Sequence, residues 1–212
     1  MVTRRSSLTP NTAFAVPADR IRLERVAAAL ESNGIRTLIA ADFDEARRLV
    51  LEQLPEGAEV HEGASVTLET LGLKDEIELS GRFEPVRPRL WSMDRETQAR
   101  DMRKLGAGPD YIVGSVHAVT EDGHLLIASK TGSQLGGYAY GAGHVVLVVG
   151  SQKVVRDLEE GLRRIREYAY PLEDQHMLDL YDINSAVNKV LIINAEEAER
   201  ITVVLVDEAI GF

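Results

Sequence analysis

The sequence predicts an α/β fold: a single domain with a mostly parallel central sheet flanked by helices, and a β-rich C-terminal segment. Three observations lead there. Between residues 18 and 72, helical stretches alternate with short apolar runs, the order expected of a parallel sheet. From Asp110 onward, three apolar runs, Tyr111–Val113, Leu125–Ala128 and Val145–Val149, are separated by glycine-rich turns. Two further β-rich segments, Lys189–Ile193 and Ile201–Val206, follow near the C-terminus.

The elements follow in order. Leu23, Val26, Ala27 and Leu30 stand at i, i+3, i+4 and i+7 of a helix over residues 18–33, stopped by Gly34. Ile35–Ala41 has the pattern of a buried strand, and Asp42 with Glu45 three residues on forms a capping box for a helix ending before Pro55. A short strand, Ala58–His61, runs into Gly63-Ala64-Ser65, and Val66–Leu71 is a short helix closed by Gly72. Residues 73–92 form a charged, proline-punctuated excursion. Ser92 then caps a helix to about Leu105, before the Gly106-Ala107-Gly108-Pro109 break. A helix from Ser151 to about Tyr168 places Val155, Leu158, Leu162 and Ile165 on one face, and its Glu159, Glu160, Arg163 and Arg164 form a solvated stripe of i,i+4 pairs. After Pro171 the chain is irregular until the last two β segments, which a Glu-rich turn joins. These final residues are expected either to wrap the domain as an arm or to pair with a second copy. Residues 1–17 are expected to be a loose segment and 18–212 the domain.

Composition narrows the function classes. With 212 residues, 44% hydrophobic and 27% charged, the chain has an ordinary globular make-up and enough length for a sizeable core. A net charge of -10 lacks the basic footprint that binding to a phosphate backbone requires, so nucleic acid is not an expected partner. There is no cysteine, which excludes disulfides, thiolate metal sites, iron–sulfur ligation and a cysteine nucleophile from this chain. The longest apolar runs fall well short of the ~20 residues of a membrane helix. Arg4-Arg5 lacks the clean apolar stretch that a twin-arginine signal needs, so a cytoplasmic location is expected.

Three constellations could carry chemistry. In Gly63-Ala64-Ser65-Val66-Thr67, a strand, a glycine-containing turn and a helix start aim free N–H groups and hydroxyls at one spot, as anion sites do. The bland reading is that Ser65 caps the helix. In Gly114-Ser115-Val116-His117-Ala118-Val119-Thr120-Glu121-Asp122-Gly123, hydroxyls, an imidazole and two carboxylates gather just beyond a strand end, where open α/β sheets bind ligands. There the bland reading makes Thr120 to Gly123 a hairpin turn. Lys130, Ser133 and the glycines up to Gly143 form the third, which is either a polar-ligand loop or a plain connection. It matches neither a dinucleotide nor a Walker pattern. The five histidines show no metal-ligand spacing, no G-x-S-x-G elbow occurs, and the scattered aromatics suit core packing.

Four segments together, GASVTLETLGL at 63–73, GSVHAVTEDGHLL at 114–126, YGAGHVVLVVGSQKVV at 140–155 and RITVVLVDEAIGF at 200–212, resemble the LUD, or lactate-utilisation, domain family. The resemblance runs from about residue 20 to the C-terminus. It implies the α/β fold of the NagB/RpiA/CoA-transferase-like type, and a bacterial, cytoplasmic protein. Some members act with iron–sulfur subunits that oxidise L-lactate to pyruvate. This chain departs from the pattern twice: Leu178–Asn188 has no cysteine where many short members are cysteine-rich, and His117 stands where relatives often have asparagine. That histidine adds a group expected to titrate near neutrality.

Three functional readings follow. In the first, a subunit of 2-hydroxy acid metabolism holds a small anion among Gly63, Ser65, Thr67, Gly114, Ser115, Thr120, Asp122, Lys130, Ser133 and Gly143. In the second, drawn from fold analogy, a transferase- or isomerase-like enzyme uses Glu121 as nucleophile or base, with His117 beside it. In the third, a non-catalytic subunit docks iron–sulfur partners of a lactate-oxidising system. Homodimerisation is implied by the fold analogy alone, and a free, stable homodimer would argue against the docking role. The residues name no cofactor.

Overall fold

The computed structural model describes residues 6–197 and 199–212. Six strands form one all-parallel sheet in the order β1-β10-β7-β4-β2-β3. They are β1 (Arg36–Ala40), β2 (Glu59–Glu62), β3 (Glu84–Pro85), β4 (Tyr111–Ser115), β7 (His144–Gly150) and β10 (Ile201–Val206). A second, mixed sheet has the order β8-β5-β6-β9, built from β5 (Ala118–Thr120), β6 (Leu125–Ser129), β8 (Val154–Val155) and β9 (Lys189–Ile193).

The apolar runs mark strands that are buried on both faces, as parallel strands between helices are. In β7, Val145, Leu147 and Val149 face one core while Val146 and Val148 face the other. The first core joins α1 (Arg20–Ser32), through Leu23, Val26 and Leu30, to the inner face of the small sheet, Val119, Leu125 and Ile127. The second packs α2 (Phe43–Glu52), α3 (Val66–Thr70) and α4 (Leu73–Leu79) on the opposite face. Ala118, Leu126 and Ala128, on the outer face of the small sheet, are covered by α7 (Leu158–Arg164) and the π-helical turn Ile165–Ala169. Among the described residues no helix is long and apolar enough to cross a membrane.

Asp42 caps α2 as expected, accepting from Glu45 N–H at 2.8 Å. Other expectations are corrected. The excursion at 73–92 is ordered as α4, β3 and α5 (Val86–Ser92), because Leu73 and Ile77 share a buried helical face and Gly72, at φ 63°, makes the break before them. Ser92 therefore ends a helix, bonding Arg89 O at 2.8 Å, and the next helix, α6, spans Ala99–Ala107. Pro171 starts rather than stops a helix: it sits in the first turn of α8 (Tyr170–Tyr181), where a missing N–H is harmless. The last two β segments do not wrap the domain as an arm, since β9 joins the small sheet while β10 lies between β1 and β7.

The helix placed at Ser151 begins later. Ser151–Lys153 is a single 3-10 turn, Val154–Val155 pairs with β5, and Asp157 caps α7, accepting from Glu160 N–H at 2.9 Å. Of the segment expected to be loose, residues 1–5 lie outside the described residues. Ser6 Oγ bonds Asp174 Oδ2 at 2.5 Å, and Asn11 Nδ2 donates to Glu167 Oε2 at 2.9 Å.

The position of the helix start is testable by urea unfolding. Asp157→Ala is expected to cost about 1 kcal/mol. Ser151→Ala is expected to cost nothing measurable, because Ser151 Oγ is buried without a partner; the reverse order would restore a helix starting at Ser151.

Candidate functional site

The sheet's connections decide where a ligand can sit. After β2 the chain moves outward to β3, and after β4 it moves the other way towards β7, so the strand order reverses between the carboxyl ends of β2 and β4. Crevices form at such switch points. A cleft of about 270 Å³ opens there, walled on the far side by the small sheet and α8.

Seven of the twelve residues singled out in the sequence line it: Gly63, Ser65, Thr67, Ser115, His117, Lys130 and Ser133. Ser65 occupies the N-cap position of α3 but makes no capping bond, which leaves its hydroxyl free for the cleft. Gly114 lies just beneath. A Cβ there would fall 1.8 Å from Tyr138 Oη, so the glycine admits the phenol that closes this end of the cleft.

The other four lie elsewhere. Glu121 does not line the cleft; its carboxylate is held by Arg22 Nε at 2.6 Å. Thr120 and Asp122 bond each other within the β5–β6 hairpin, whose turn closes at Gly123 with φ 83°. Gly143 precedes β7 at its amino end, where a Cβ would meet Asp110 O at 2.9 Å. Lys130 stands at the rim, its Nζ bonded to Asn184 O, and so ties the segment carrying Ser185 and Val187 over the cleft.

The floor belongs to a residue that the sequence reading took for the start of a helix. Lys153 is 1% exposed, and its Nζ donates to Thr67 Oγ1 at 3.0 Å and Ser115 Oγ at 2.9 Å. It thereby ties the turn after β2 to the end of β4 from the turn after β7. Burial first, and then the Arg164 charge, hold its amine well below the usual lysine range. A signal was present: Lys153 follows the most apolar strand by three residues, at the strand end where ligands bind.

Behind the floor, Arg164 is fully buried instead of lying on the solvated stripe. Its Nε donates to Gln152 O at 3.2 Å and its Nη1 to His117 O, while the guanidinium carbon lies 5.0 Å from the centre of the Tyr168 ring. Nη2 has no partner among the described residues. Burial lowers its pKa to about 10, so it stays charged at neutral pH. Arg163 carries the surface pairing instead, with Glu167 at 2.9 Å.

His117 is corrected in its titration. Burial, then Lys153 and Arg164, bring its pKa from 6.5 to about 3, so it is neutral across the physiological range. The Ala128 N–H donates to His117 Nδ1 at 3.1 Å, which places the ring hydrogen on Nε2 as a donor. Adjacent to the cleft, Glu62 at the end of β2 is 1% exposed. Burial, then Glu78 beside it, push its carboxyl up to about 8. Gln152 clips the C-terminal tail, donating to Ile210 O and Gly211 O at 3.0 and 2.9 Å, and so brings Phe212 to the cleft wall. Among the described residues no three His, Asp or Glu side chains converge as metal ligands would.

Comparison with known proteins follows the same outline. A family model described as the LUD domain matches residues 23–206. No curated protein matches the sequence. Among solved structures, a DUF162 family protein from Deinococcus radiodurans shares the fold with a TM-score of 0.56 at 11% identity, over 90% of this chain and 99% of its own. Ribose 5-phosphate isomerase from Plasmodium falciparum is more distant, with a TM-score of 0.33 at 15% identity over 54% and 52% of the two chains. So is eIF2B delta from Chaetomium thermophilum, at 0.35 and 13% over 67% and 57%.

Two isosteric changes should bend the pH dependence of stability in opposite directions. Between about 6.5 and about 3 the unfolded chain takes up a proton at His117 that the native cleft refuses. Wild type should therefore lose stability relative to His117→Gln as pH falls through that window. Glu62 keeps its proton in the native state between 4.5 and about 8, so its contribution is present below 4.5 and lost as pH rises through 8. Glu62→Gln should gain on wild type as pH rises from about 4.5 to about 8 and keep a constant advantage above that. Urea midpoints from pH 4 to about 9 that run parallel for all three proteins would overturn both assignments.

Proposed function

The chain belongs to the LUD domain family, which at family level relates it to lactate utilisation, and from that premise we propose that its cleft binds a small carboxylate of the 2-hydroxy or 2-oxo acid class. One observation carries the reading: the floor holds a lysine amine and, behind it, a charged arginine, and neither has a carboxylate partner among the described residues. A buried positive charge left without a counter-ion is costly, and an anionic ligand supplies what is missing.

The surrounding groups suit a carboxylate of this size. Ser65 offers an uncommitted hydroxyl, His117 a fixed Nε2–H, and Thr67 and Ser115 hold Lys153 in place. A volume of about 270 Å³ accommodates an acid of a few carbons with some water, at the lower edge of the range for ligand pockets. Glu121, the nucleophile or base of the transferase-like alternative, pairs with Arg22 and is not among the residues that line the cleft. Iron–sulfur subunits of a lactate-oxidising system are the partners proposed with this reading, and self-association is proposed alongside.

Calorimetry and thermal shift test it directly. L-lactate or pyruvate should raise the Tm of the wild type. Ser115→Ala and Lys153→Met should each weaken Kd at least about tenfold, equivalent to ~1.4 kcal/mol. Unchanged affinity in both variants, or stabilisation by neutral analogues such as lactamide as strong as by lactate, would sink the assignment.

A further inference from the structure

Resting on that reading of the cleft, the geometry points to Lys153 as a nucleophilic amine that captures the carbonyl carbon of a 2-oxo acid as an imine.

The first argument is a count of hydrogens. An ammonium has three N–H donors and an amine two. Nζ has two acceptors, Thr67 Oγ1 and Ser115 Oγ. Ser115 is an acceptor here by necessity, because its own hydrogen goes to Val148 O at 2.7 Å. An amine that donates both hydrogens to these hydroxyls keeps its lone pair on the remaining side of the nitrogen, and Lys153 is part of the cleft lining. No third acceptor stands by for an ammonium among the described residues.

The second argument is electrostatic. Burial disfavours the charged form of the amine, and the nearby Arg164, a permanent cation, disfavours a second charge in the same direction. Free lysine is unprotonated in only about one molecule in a few thousand at pH 7, so both effects raise the fraction able to attack. The third argument is orientation. Ala128 N–H fixes the His117 tautomer, leaving Nε2–H to hydrogen-bond the carbonyl or carboxylate oxygen.

The step balances without any redox partner. The Nζ lone pair forms a C–N bond to the carbonyl carbon while the C=O π pair moves to oxygen, and one amine hydrogen ends on that oxygen. The carbinolamine then loses the oxygen as water, taking the second amine hydrogen and leaving the C=N bond.

Trapping tests it on the intact protein. Pyruvate or glyoxylate is added with sodium cyanoborohydride near pH 7, and the product is followed by intact mass and peptide mapping. The expected result is a single reduced adduct on Lys153, formed at least about tenfold faster than on Lys74, Lys104, Lys130 or Lys189. L-lactate should slow it by competition. Lys153→Arg should lose the adduct while keeping measurable affinity for L-lactate. Carboxylate binding without any adduct on Lys153 overturns the imine and leaves the binding reading standing. An adduct on Lys153 that lactate does not slow, in a protein that binds no carboxylate, overturns the binding reading and leaves the reactive amine. Labelling spread evenly over the lysines overturns the inference.

Discussion

Arg164 braces from behind two parts of the chain that the pairing of β8 with β5 brings side by side. Its guanidinium reaches from the end of α7 to the carbonyl of Gln152, in the turn after β7, and to that of His117, in the connection from β4 into the small sheet. The neighbours of those carbonyls are the working groups of the cleft: Lys153 follows Gln152, and His117 itself lies in the wall. The π-helical turn that begins at Ile165 stacks Tyr168 against the same guanidinium. A π turn inside a helix is a locally unfavourable arrangement that proteins keep mostly at functional sites. Here it accompanies the entry of a cation into the interior at the one place where two backbone carbonyls and an aromatic face receive it.

From that brace the architecture of the cleft follows. The large sheet supplies strand ends at a point of reversed order, and the small sheet, whose β5 and β6 lie between β4 and β7 and whose β8 and β9 lie between β7 and β10, roofs the space above them. Closing the site therefore requires contacts between elements far apart in sequence. Lys153 meets Thr67 and Ser115 across 86 and 38 residues, and Gln152 holds the tail across 58. Tyr138 is admitted only because residue 114 has no Cβ. The site is therefore a sum over the whole fold, and no single loop contains it.

This explains which parts were legible in the sequence. Strands buried on both faces announce themselves as apolar runs, and the bounds of Lys189–Ile193 and Ile201–Val206 match the structure at both ends. Asp42 and Gly72 punctuate helices through local hydrogen bonds and backbone freedom, which act within a few residues and are read directly. By contrast, α8 was obscured because its apolar residues form no single stripe and Pro171 resembles a stop. The cleft residues that share a strand end, Gly63 to Thr67 and Ser115 to His117, were found by their place in the βα alternation. Lys153 obeyed the same rule but was hidden by the helical periodicity downstream. Arg164 gave no signal at all: it stands next to Arg163 in a run of charges, and only the packing of α7 on the small sheet decides which of the two turns inward.

The last step concerns charge at two length scales. The chain carries a net -10, which at long range repels a small anion. At physiological salt, however, fields from exposed charges are damped beyond roughly 8 Å, whereas a charge in a low-dielectric interior acts at nearly full strength on groups close to it. Burial drives both Lys153 and His117 towards their neutral forms, and Arg164, which is such a charge, adds to it at each. The floor of the cleft thus combines a buried positive charge with an amine whose hold on its proton is weakened and a neutral imidazole that is a fixed donor. Replacing the histidine by asparagine would keep a neutral polar side chain at this position without a titrating group. Burial first, with Lys153 and Arg164 acting in the same direction, holds the histidine neutral, so the substitution leaves the charge of the site unchanged.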